Sequence, residues 1–418
     1  MKKKISAVVL AAGKSKRTKT TLPKVLLEVG GRPLIFYILE ILSSLKVVSD
    51  IIVVLGHKKD LVKEFIAKEF KNVKFSFQKE LNGTAKALLA AKPLLNKTNN
   101  VLVLCADSPL ITAATLKECI KYFFKEDADC AVLTAIFKEK NDLGRITRDE
   151  KDKIKSITER VELKESGQEE EVNSGIYCFK RDTLFKGLKL IRLNKKKKEF
   201  FLTDIIEIFY HWGCKILGYK LKENTEILGV NTQKNLSIVR KVLNQRFLDN
   251  LMKRGVVIVD PENTFVSFDT KIGKNTVVYP FTFIEKNVII GSNCTIGPFV
   301  RLRENTVIRD NVKLGNFLEI NRSKIDEGTR IKHFGYLGDT TVGKSVNIGA
   351  GVVVANYDGK KKYKTFIKKK AFIGSDTIIV APAKIGKGAV TGAGSVVTKN
   401  VKDKNIVVGV PARVLRKR

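Results

Sequence analysis

Residues able to bind phosphate groups stand near the beginning of the chain, directly after a short apolar run. The segment Leu10-Ala-Ala-Gly-Lys-Ser-Lys-Arg17 combines small residues, whose backbone N–H groups can approach a polyphosphate, with the fixed charge of Arg17. Lys24 follows within Leu22-Pro-Lys-Val-Leu26. Further along, Asp107 follows another apolar run. These residue types predict phosphoryl transfer, in which fixed positive charge stabilises the transferring phosphate.

The order of these motifs resembles the signature of sugar-phosphate nucleotidyltransferases. The first segment is similar to the LAAGxGTR pattern of that family, with Ser15 and Lys16 in place of the usual Gly and Thr, and Cys105-Ala-Asp-Ser-Pro-Leu110 is similar to its GDxPL pattern. The resemblance implies that Asp107 binds Mg²⁺. It also implies that the nucleotide is bound by Leu10, Ala11, Ala12, Gly13, Arg17, Lys24, Gln78, Gly83 and Thr84. Because Glu80-Leu81-Asn82 replaces part of the family's QLGT pattern, we expect no direct contact from Leu81.

Further motifs match the branch of that family that uses N-acetylglucosamine-1-phosphate and UTP. They are Gly144-Arg-Ile, Glu159, Asn173-Ser-Gly-Ile, Thr203-Asp and Gly229-Val-Asn231. The resemblance implies that Gly144, Glu159, Asn173, Thr203 and Asn231 form the sugar-phosphate site, and that Asn231 joins Asp107 on the metal. Taken alone, two of these residues have a second interpretation. An Asp after a strand is often a helix cap, and Asn173 before Ser-Gly is compatible with a turn.

One of the three histidines stands in a segment that predicts acid–base chemistry. His57 and His211 are expected to be structural or surface residues. His333 lies in Lys332-His-Phe-Gly-Tyr-Leu-Gly-Asp339, and a neutral imidazole is suited to act as a general base at neutral pH. The segment resembles the HxxYLGD motif of glucosamine-1-phosphate acetyltransferases, which implies that His333 is the catalytic base.

The same resemblance implies the ligands of the other acetyltransferase residues. It assigns the amino-sugar phosphate to Arg303, Tyr336, Asn347 and Lys362. It assigns acetyl-CoA to Asn356, Tyr357, Ser375, Ala393 and Arg413, with the N–H of Ala350 facing the oxyanion. Asn321 stands where the family has a lysine, which leaves Arg322 as a candidate phosphate partner. Arg413 belongs to a basic C-terminal tail that either holds the CoA nucleotide or frays.

Strands and helices alternate in the first half of the chain, where they must position the phosphate-binding residues. The predicted strands are 5–10, 51–55, 101–104 and 131–136, and the predicted helices are 33–45, 60–70, 84–95 and 114–124. This order predicts an α/β, Rossmann-like nucleotidyltransferase domain over residues 1–230, with a parallel sheet whose ligands bind at the carboxyl ends of the strands. Residues 231–254 are predicted to form a linker helix.

An aliphatic residue recurs at every sixth position from Ile272 to Ile385, with one-residue slips at Ile325 and Val342 and a polar break over 356–366. Hexapeptide periodicity is typical of a parallel β-helix, in which short strands place aliphatic side chains in one internal stack. We therefore predict an all-β, left-handed parallel β-helix over residues 255–418. The resemblance implies a homotrimer with acetyl sites at subunit boundaries. A β-helix that serves only as an oligomerisation stalk is the alternative.

Composition limits the remaining function classes. The chain has 418 residues, 44% of them hydrophobic, which predicts a folded protein of two or three domains. The formal net charge of +35 favours anionic ligands, but the lysines are scattered and no basic stripe carries interleaved aromatics. We therefore expect neither a nucleic-acid nor a membrane partner. The six cysteines form no CxxC pair, which favours a reducing cytoplasm.

Together these features predict one enzyme with two reactions. Acetyl-CoA acetylates glucosamine-1-phosphate in the β-helix, and UTP then reacts with N-acetylglucosamine-1-phosphate in the first domain, with Mg²⁺ as cofactor. The resemblance to bacterial bifunctional enzymes of this type covers nearly the whole chain. The alternatives are a monofunctional nucleotidyltransferase with a regulatory or oligomerising β-helix, and a non-enzymatic protein that binds nucleic acid or anionic lipid.

Overall fold

The chain folds into two compact units in a computed structural model that describes residues 3–14, 16–137, 143–159 and 169–417. The division falls after Val239, inside a long helix that runs from Gln233 to Met252. This helix lies within the predicted linker range of 231–254. Among the helices in the described residues, none has both the length and the apolar character needed to cross a membrane.

The first unit is an α/β domain in which helices cover a central sheet. Its strands are β1 (Ile5–Ala11), β2 (Glu28–Val29), β3 (Arg32–Pro33), β4 (Val48–Leu55), β5 (Val73–Phe77), β6 (Asn100–Cys105), β7 (Cys130–Phe137), β8 (Arg145–Arg148), β9 (Ile154–Thr158), β10 (Glu170–Lys180) and β11 (Ile216–Lys220). The α-helices are α1 (Leu34–Ser44), α2 (Lys59–Glu69), α3 (Thr84–Ala90), α4 (Ala113–Lys125), α5 (Arg181–Leu188), α6 (Asp204–His211) and α7 (Gln233–Met252).

The predicted strands and helices of this domain are confirmed, with small changes at their ends. The largest change is in the helix predicted over 84–95. Its α-helical part ends at Ala90, and a short 3₁₀ turn follows over Lys92–Leu94. Pro93 explains the change, because proline lacks the N–H that would continue the helix.

The central sheet is mixed, so the prediction of a parallel sheet is only partly correct. Its strand order is β11-β7-β10-β6-β1-β4-β5. Strands β1, β4, β5 and β6 are parallel as predicted, whereas β10 runs antiparallel to both β6 and β7. Strand β10 also pairs antiparallel with β8, which in turn pairs antiparallel with β9. Tyr177, Cys178 and Phe179 of β10 pair with β6 on one side and with β7 on the other, so β10 joins these two strands in the opposite direction.

The parallel strands bring three loops to one edge of the sheet. Leu10 lies beside Cys105, and Ala11 lies beside Leu55. The chain leaves β1, β4 and β6 at the same level, so the segments that begin at Ala12, Gly56 and Ala106 meet there. This is the edge where the sequence predicted the ligand site.

The second unit is a parallel β-helix built from three sheets. The first sheet contains Val257–Ile258, Val277–Val278, Thr295–Ile296, Lys313–Leu314, Arg330–Ile331, Asn347–Ile348, Phe372–Ile373, Val390–Thr391, Asn405–Val408 and Arg413–Lys417. The second contains Thr264–Val266, Thr282–Ile284, Val300–Leu302, Leu318–Asn321, Gly335–Gly338, Val352–Ala355, Ile378–Val380 and Val396–Val397. The third contains Lys271–Ile272, Ile289–Ile290, Val307–Ile308, Lys324–Ile325, Thr340–Val342, Thr365–Ile367 and Ala383–Ile385.

The repeated aliphatic residues form the core of the β-helix, as the periodicity predicted. Each of them, from Ile272 to Ile385, is at most 8% exposed. Ile284 lies beside Leu302, 18 positions later, so one coil consists of three hexapeptides. Where the repeat slips, Ile320 lies beside Leu337, only 17 positions later. The predicted break is an insertion between Ala355 and Thr365, after which the coils resume.

Candidate functional site

The loops at the carboxyl ends of β1 and β6 surround a cavity of about 450 Å³. Every residue predicted to bind the nucleotide lines this cavity, together with Asp107 and Asn231. The cavity is also lined by six residues that were not predicted to bind the nucleotide: Lys14, Val25, Leu81, Ala87, Cys105 and Glu199. Leu81 lines the cavity although no direct ligand contact is expected from it. Its side chain occupies the space beside Gly56 at the end of β4, where any Cβ would collide with it.

Gly83 holds one wall of the cavity against the segment that contains Phe200. Its φ of +124° and the backbone of Phe200, which occupies the position of a Cβ, both require glycine. The Ala85 N–H donates to Phe200 O at 3.1 Å, and the Phe200 N–H donates to Asn82 O at 2.8 Å. Gln78 Nε2 donates to Gly83 O at 3.1 Å. The segment from Gln78 to Thr84, which is predicted to bind the nucleotide, is therefore fixed from both sides.

Two cationic side chains and two side-chain oxygens meet at another wall of the cavity. Lys24 Nζ pairs with Asp107 Oδ2 and donates to Asn231 Oδ1 at 3.1 Å. Arg17 Nη2 donates to the same Asn231 oxygen at 2.9 Å. The backbone adds a further link, because the Val230 N–H donates to Asp107 O at 2.9 Å. Residues from three distant parts of the sequence thus form one charged cluster.

Asp107 does not cap a helix. Helix α4 begins at Ala113, and its cap is Thr112, whose Oγ1 accepts a hydrogen bond from the Thr115 N–H at 3.2 Å. The carboxylate of Asp107 and the amide oxygen of Asn231 instead share one cation, the ammonium of Lys24. Such oxygens are the donors that Mg²⁺ prefers, so the residues present fit this ion. No group of three or more His, Cys, Asp or Glu side chains among the described residues forms a metal cluster. A metal bound here would therefore take further ligands from substrate and water.

Four of the five predicted sugar-phosphate residues form a second cluster next to the cavity, whereas the fifth, Asn231, belongs to the cluster around Lys24. Thr203 Oγ1 donates to Glu159 Oε1 at 2.9 Å, and the Asn173 N–H donates to Gly144 O at 2.9 Å. A Cβ on Gly144 would lie 3.9 Å from the Glu159 carboxyl carbon, so the two pairs are neighbours. Asn173 also has a local role. Its amide donates to Tyr177 OH at 2.7 Å and accepts from the Gly175 N–H at 3.0 Å, where the register of β10 shifts.

Cys105 lies between the two clusters. Burial raises the pKa of its thiol to about 12, and the nearby carboxylate of Asp107 adds to this effect. The carboxylate of Glu159 acts in the same direction. The thiol is therefore protonated at neutral pH and is a poor nucleophile.

In the β-helix, Asp339 organises several of the predicted acetyltransferase residues. Arg322 donates to both of its carboxylate oxygens at 2.7 Å, and Asn356 Nδ2 donates to Oδ2 at 2.5 Å. The Arg322 guanidinium lowers the pKa of Asp339, with further contributions from Asn356 and the charge of Lys362. Arg322, the candidate phosphate partner, thus has two of its guanidinium nitrogens bound to Asp339. Asn321 is 2% exposed, and its buried Oδ1 accepts no hydrogen bond.

Of the residues predicted to bind the amino-sugar phosphate, Arg303 and Tyr336 lie on the side of the second sheet and Asn347 on the first sheet, whereas Lys362 lies in the insertion between Ala355 and Thr365. Arg303 Nη1 donates to Glu319 Oε1 at 3.0 Å, and Glu319 lies beside Tyr336 in the next coil of the second sheet. A Cβ on Gly338 would lie 2.5 Å from the hydroxyl of Tyr336 and from the amide of Asn356, so these groups are close together. Asn347 is on the first sheet, and the corner at Ala350 separates it from the second.

One corner of the β-helix aligns His333 with three residues predicted to bind acetyl-CoA. His333, Ala350, Ser375 and Ala393 occupy equivalent positions in successive coils, and we call them the corner column. Backbone hydrogen bonds connect these coils: Asp376 N–H to Ala350 O at 2.6 Å, and Gly394 N–H to Ser375 O at 2.8 Å. The side chains of His333, Ser375 and Ala393 are exposed.

The other predicted acetyl-CoA residues lie outside the corner column. Asn356 and Tyr357 begin the insertion that follows Ala355, and the Tyr357 side chain is exposed. Arg413 begins the last strand, which pairs antiparallel with Asn405–Val408. Residues 413–417 therefore do not form a frayed tail, and the Arg413 side chain is exposed on this strand.

A nucleotide-binding α/β domain followed by a hexapeptide β-helix defines a two-domain transferase. The family described as nucleotidyl transferase matches residues 6–224, the bacterial transferase hexapeptide family matches residues 269–304, and the hexapeptide repeat of succinyl-transferase matches residues 367–399.

Similar curated proteins span almost the whole chain. "Bifunctional protein GlmU" of Thermodesulfovibrio yellowstonii is 37% identical, and the match covers 97% of this chain and 96% of that protein. The protein of the same name from Carboxydothermus hydrogenoformans is 36% identical, with 97% of each covered. That from Desulfitobacterium hafniense strain Y51 is 36% identical, with 96% and 95% covered. The chain therefore belongs to the GlmU family of bifunctional proteins.

Proposed function

We propose that the chain makes UDP-N-acetylglucosamine in two steps. The β-helix transfers the acetyl group of acetyl-CoA to glucosamine-1-phosphate, and the α/β domain transfers UMP from UTP to N-acetylglucosamine-1-phosphate, releasing pyrophosphate. The observation that carries the proposal is the assembly of both sites from residues distant in sequence. Lys24 meets Asp107 and Asn231 in one site, and His333 aligns with Ala350 and Ser375 in the other.

In the uridyl transfer, a phosphate oxygen of the sugar phosphate attacks the α-phosphorus of UTP, and the bond to pyrophosphate breaks in line. Arg17 and Lys24 place positive charge where the phosphates bind, and the N–H of Gly13 adds a donor. The cluster of Gly144, Glu159, Asn173 and Thr203 holds the sugar phosphate beside this wall. The reaction requires position and charge rather than a protein nucleophile, which agrees with the protonated thiol of Cys105.

Asp107 and Asn231 are the residues that would hold Mg²⁺. When bound, the ion neutralises charge on the phosphate oxygens. The oxygen donors of the two residues already converge on a cation, Lys24 Nζ, which supports this assignment.

In the acetyl transfer, the amine of glucosamine-1-phosphate attacks the carbonyl carbon of acetyl-CoA. His333 takes the proton from the attacking amine, and the Ala350 N–H donates to the oxyanion that forms. The C–S bond then breaks, and the leaving thiolate receives the proton from His333. Arg303, Tyr336, Lys362 and, across the corner, Asn347 would hold the sugar phosphate. Acetyl-CoA would lie along Ala393, Ser375 and Ala350, with Asn356, Tyr357 and Arg413 at its sides.

We also propose that the protein is a homotrimer. Phe265, Phe283, Arg301, Glu319 and Tyr336 occupy one register position in successive coils of the second sheet. Phe265 and Phe283 are 44% and 47% exposed, so the apolar end of this face is open to a second copy. Tyr336 faces the same direction, which would place the acetyl site at the boundary. The substrates are small molecules, and the cysteines, all free, suit the cytoplasm.

The test compares wild type with His333→Ala in two assays. Thiol release from acetyl-CoA should require glucosamine-1-phosphate and should collapse in the variant, because the attacking amine loses its base. Pyrophosphate release from UTP and N-acetylglucosamine-1-phosphate should be unchanged. His211→Ala, at an exposed histidine of the first unit, is the matched control and should retain both activities.

Two results would contradict the proposal. A folded wild type that releases pyrophosphate but no thiol would reduce the β-helix to a scaffold. A protein that does neither but binds DNA with steep salt dependence would support the non-enzymatic alternative.

A further inference from the structure

Phe334 directly follows His333 of the corner column, and the residues equivalent to Phe334 differ between the coils on its two sides. In the coils on the N-terminal side of His333, the residues equivalent to Phe334 are Phe281, Phe299 and Phe317. Their rings stack at centroid distances of 4.8 and 4.9 Å. These rings are 43 to 62% exposed. On the other side, Gly351 follows Ala350 with a φ of +71°. Phe334, directly after His333, stands at the boundary between the aromatic and the open part of the corner.

The ring of Phe334 lies over Gly351. A Cβ on Gly351 would be 3.3 Å from Phe334 Cε2 and would collide with the Asp376 carboxylate. The Asp376 carboxylate and the edge of the Phe334 ring therefore fill the space beside Gly351, directly after Ala350. Phe334 is 54% exposed, so one side of the ring is free of intramolecular packing.

We propose that Phe334 limits the length of the acyl group that the enzyme transfers, an inference that rests on the proposed acetyltransferase function. Acetyl-CoA would follow the corner column from Ala393 through Ser375 to Ala350, where the N–H of Ala350 meets the thioester oxygen. The next coil in this direction carries His333 and Phe334. The acetyl methyl group would then lie on the side of the Phe334 ring, and a longer acyl chain would run into this ring. Phe334 is thus a specificity residue and takes no part in proton transfer.

The experiment compares acetyl-, propionyl- and butyryl-CoA as donors to glucosamine-1-phosphate, with kcat/KM as the readout. In Phe334→Ala, the ratio of butyryl-CoA to acetyl-CoA should rise by about 10-fold or more, the discrimination that one or two methylenes provide in a closed pocket. Phe334→Leu should give a smaller rise. Phe281→Ala removes an equally exposed ring at the far end of the aromatic row and should leave the ratio unchanged.

Each result separates the inference from the function on which it rests. An unchanged ratio in a Phe334→Ala protein that still transfers acetyl groups would overturn the inference and leave the proposed function intact. An equal loss with all three donors would assign Phe334 a merely structural role and would also overturn it. If the wild type transfers no acetyl group, the proposed function fails and the inference fails with it. If Phe334→Ala does not fold, Phe334→Leu decides, because an unchanged ratio there refutes the inference.

Discussion

Replacing Asp339 with asparagine should damage one of the two reactions and spare the other. The change Asp339→Asn keeps the side-chain shape but removes its charge. The carboxylate accepts two hydrogen bonds from Arg322 at 2.7 Å and one from Asn356 at 2.5 Å. An amide has one acceptor oxygen, so it cannot accept both guanidinium bonds, and its NH₂ group would face another donor.

The size of the effect follows from the bond that is lost. A hydrogen bond to a charged partner contributes about 1.5–3 kcal/mol. The side chains of Arg322 and Asp339 are 31% and 15% exposed, so solvent weakens their interaction and the lower half of that range applies. Because about 1.4 kcal/mol corresponds to a factor of ten, KM for acetyl-CoA should rise roughly 10- to 30-fold as Asn356 loses its anchor.

Thiol release measured at varied acetyl-CoA concentration tests this prediction. Pyrophosphate release by the same preparation is the internal control, since the uridyl site lies in the other unit. A KM within twofold of wild type would refute the reasoning about Asn356. A parallel loss of both activities would show global unfolding instead.

The same pair predicts how stability depends on pH. The folded-state pKa of Asp339 is lowered, chiefly by Arg322. Its stabilising contribution is therefore fully present above the ordinary carboxyl pKa of about 3.9 and is lost as pH falls through the lower folded value. The difference in unfolding free energy between wild type and Asp339→Asn should be constant near neutral pH and should shrink in acid. A difference that persists through that acid range would contradict the assignment.

Three further changes probe the rest of the molecule. Ile320→Ala, at a fully buried position of the β-helix, should lower the unfolding free energy by about 2–5 kcal/mol in urea denaturation, and a loss below about 1 kcal/mol would contradict its place in the core. Gly83→Ala should raise KM for UTP without changing thiol release, because a Cβ would collide with the backbone of Phe200; an unchanged KM would contradict this. At pH 8, alkylation of Cys105 by iodoacetamide, followed by mass spectrometry, should be about 1000-fold slower than for an ordinary thiol, because its pKa is about 12 rather than 9.0. Labelling at the ordinary rate would show that the thiol is not buried.

The network around Asp339 follows from a spacing of 17 residues that can be read from the sequence. Arg322, Asp339 and Asn356 are each 17 positions apart, the length of a coil that contains one slip. Counting by 17 rather than by 18 across the slips places these residues above one another on one face. The charge of Arg322 alone indicated a phosphate partner, whereas this interval also brings the Asp339 carboxylate beside it.

Other parts of the site were not accessible from the sequence. The antiparallel direction of β10 depends on its pairing with β6, β7 and β8, and none of these contacts leaves a local pattern. The position of Leu81 in the cavity also leaves no local pattern in the sequence, because it depends on the space beside Gly56 at the end of another strand.

The sequence by itself determined the β-helix, the alternation of strands and helices, and the residue types of both sites. It did so because each coil of a β-helix packs only on its neighbours, so a local period of six specifies the entire stack. Only the tertiary structure decided that Lys24, Asp107 and Asn231 share one cluster and that the ring of Phe334 lies over Gly351. These contacts join positions on different strands and coils, and their distances depend on how the sheet and the coils pack rather than on spacing along the chain.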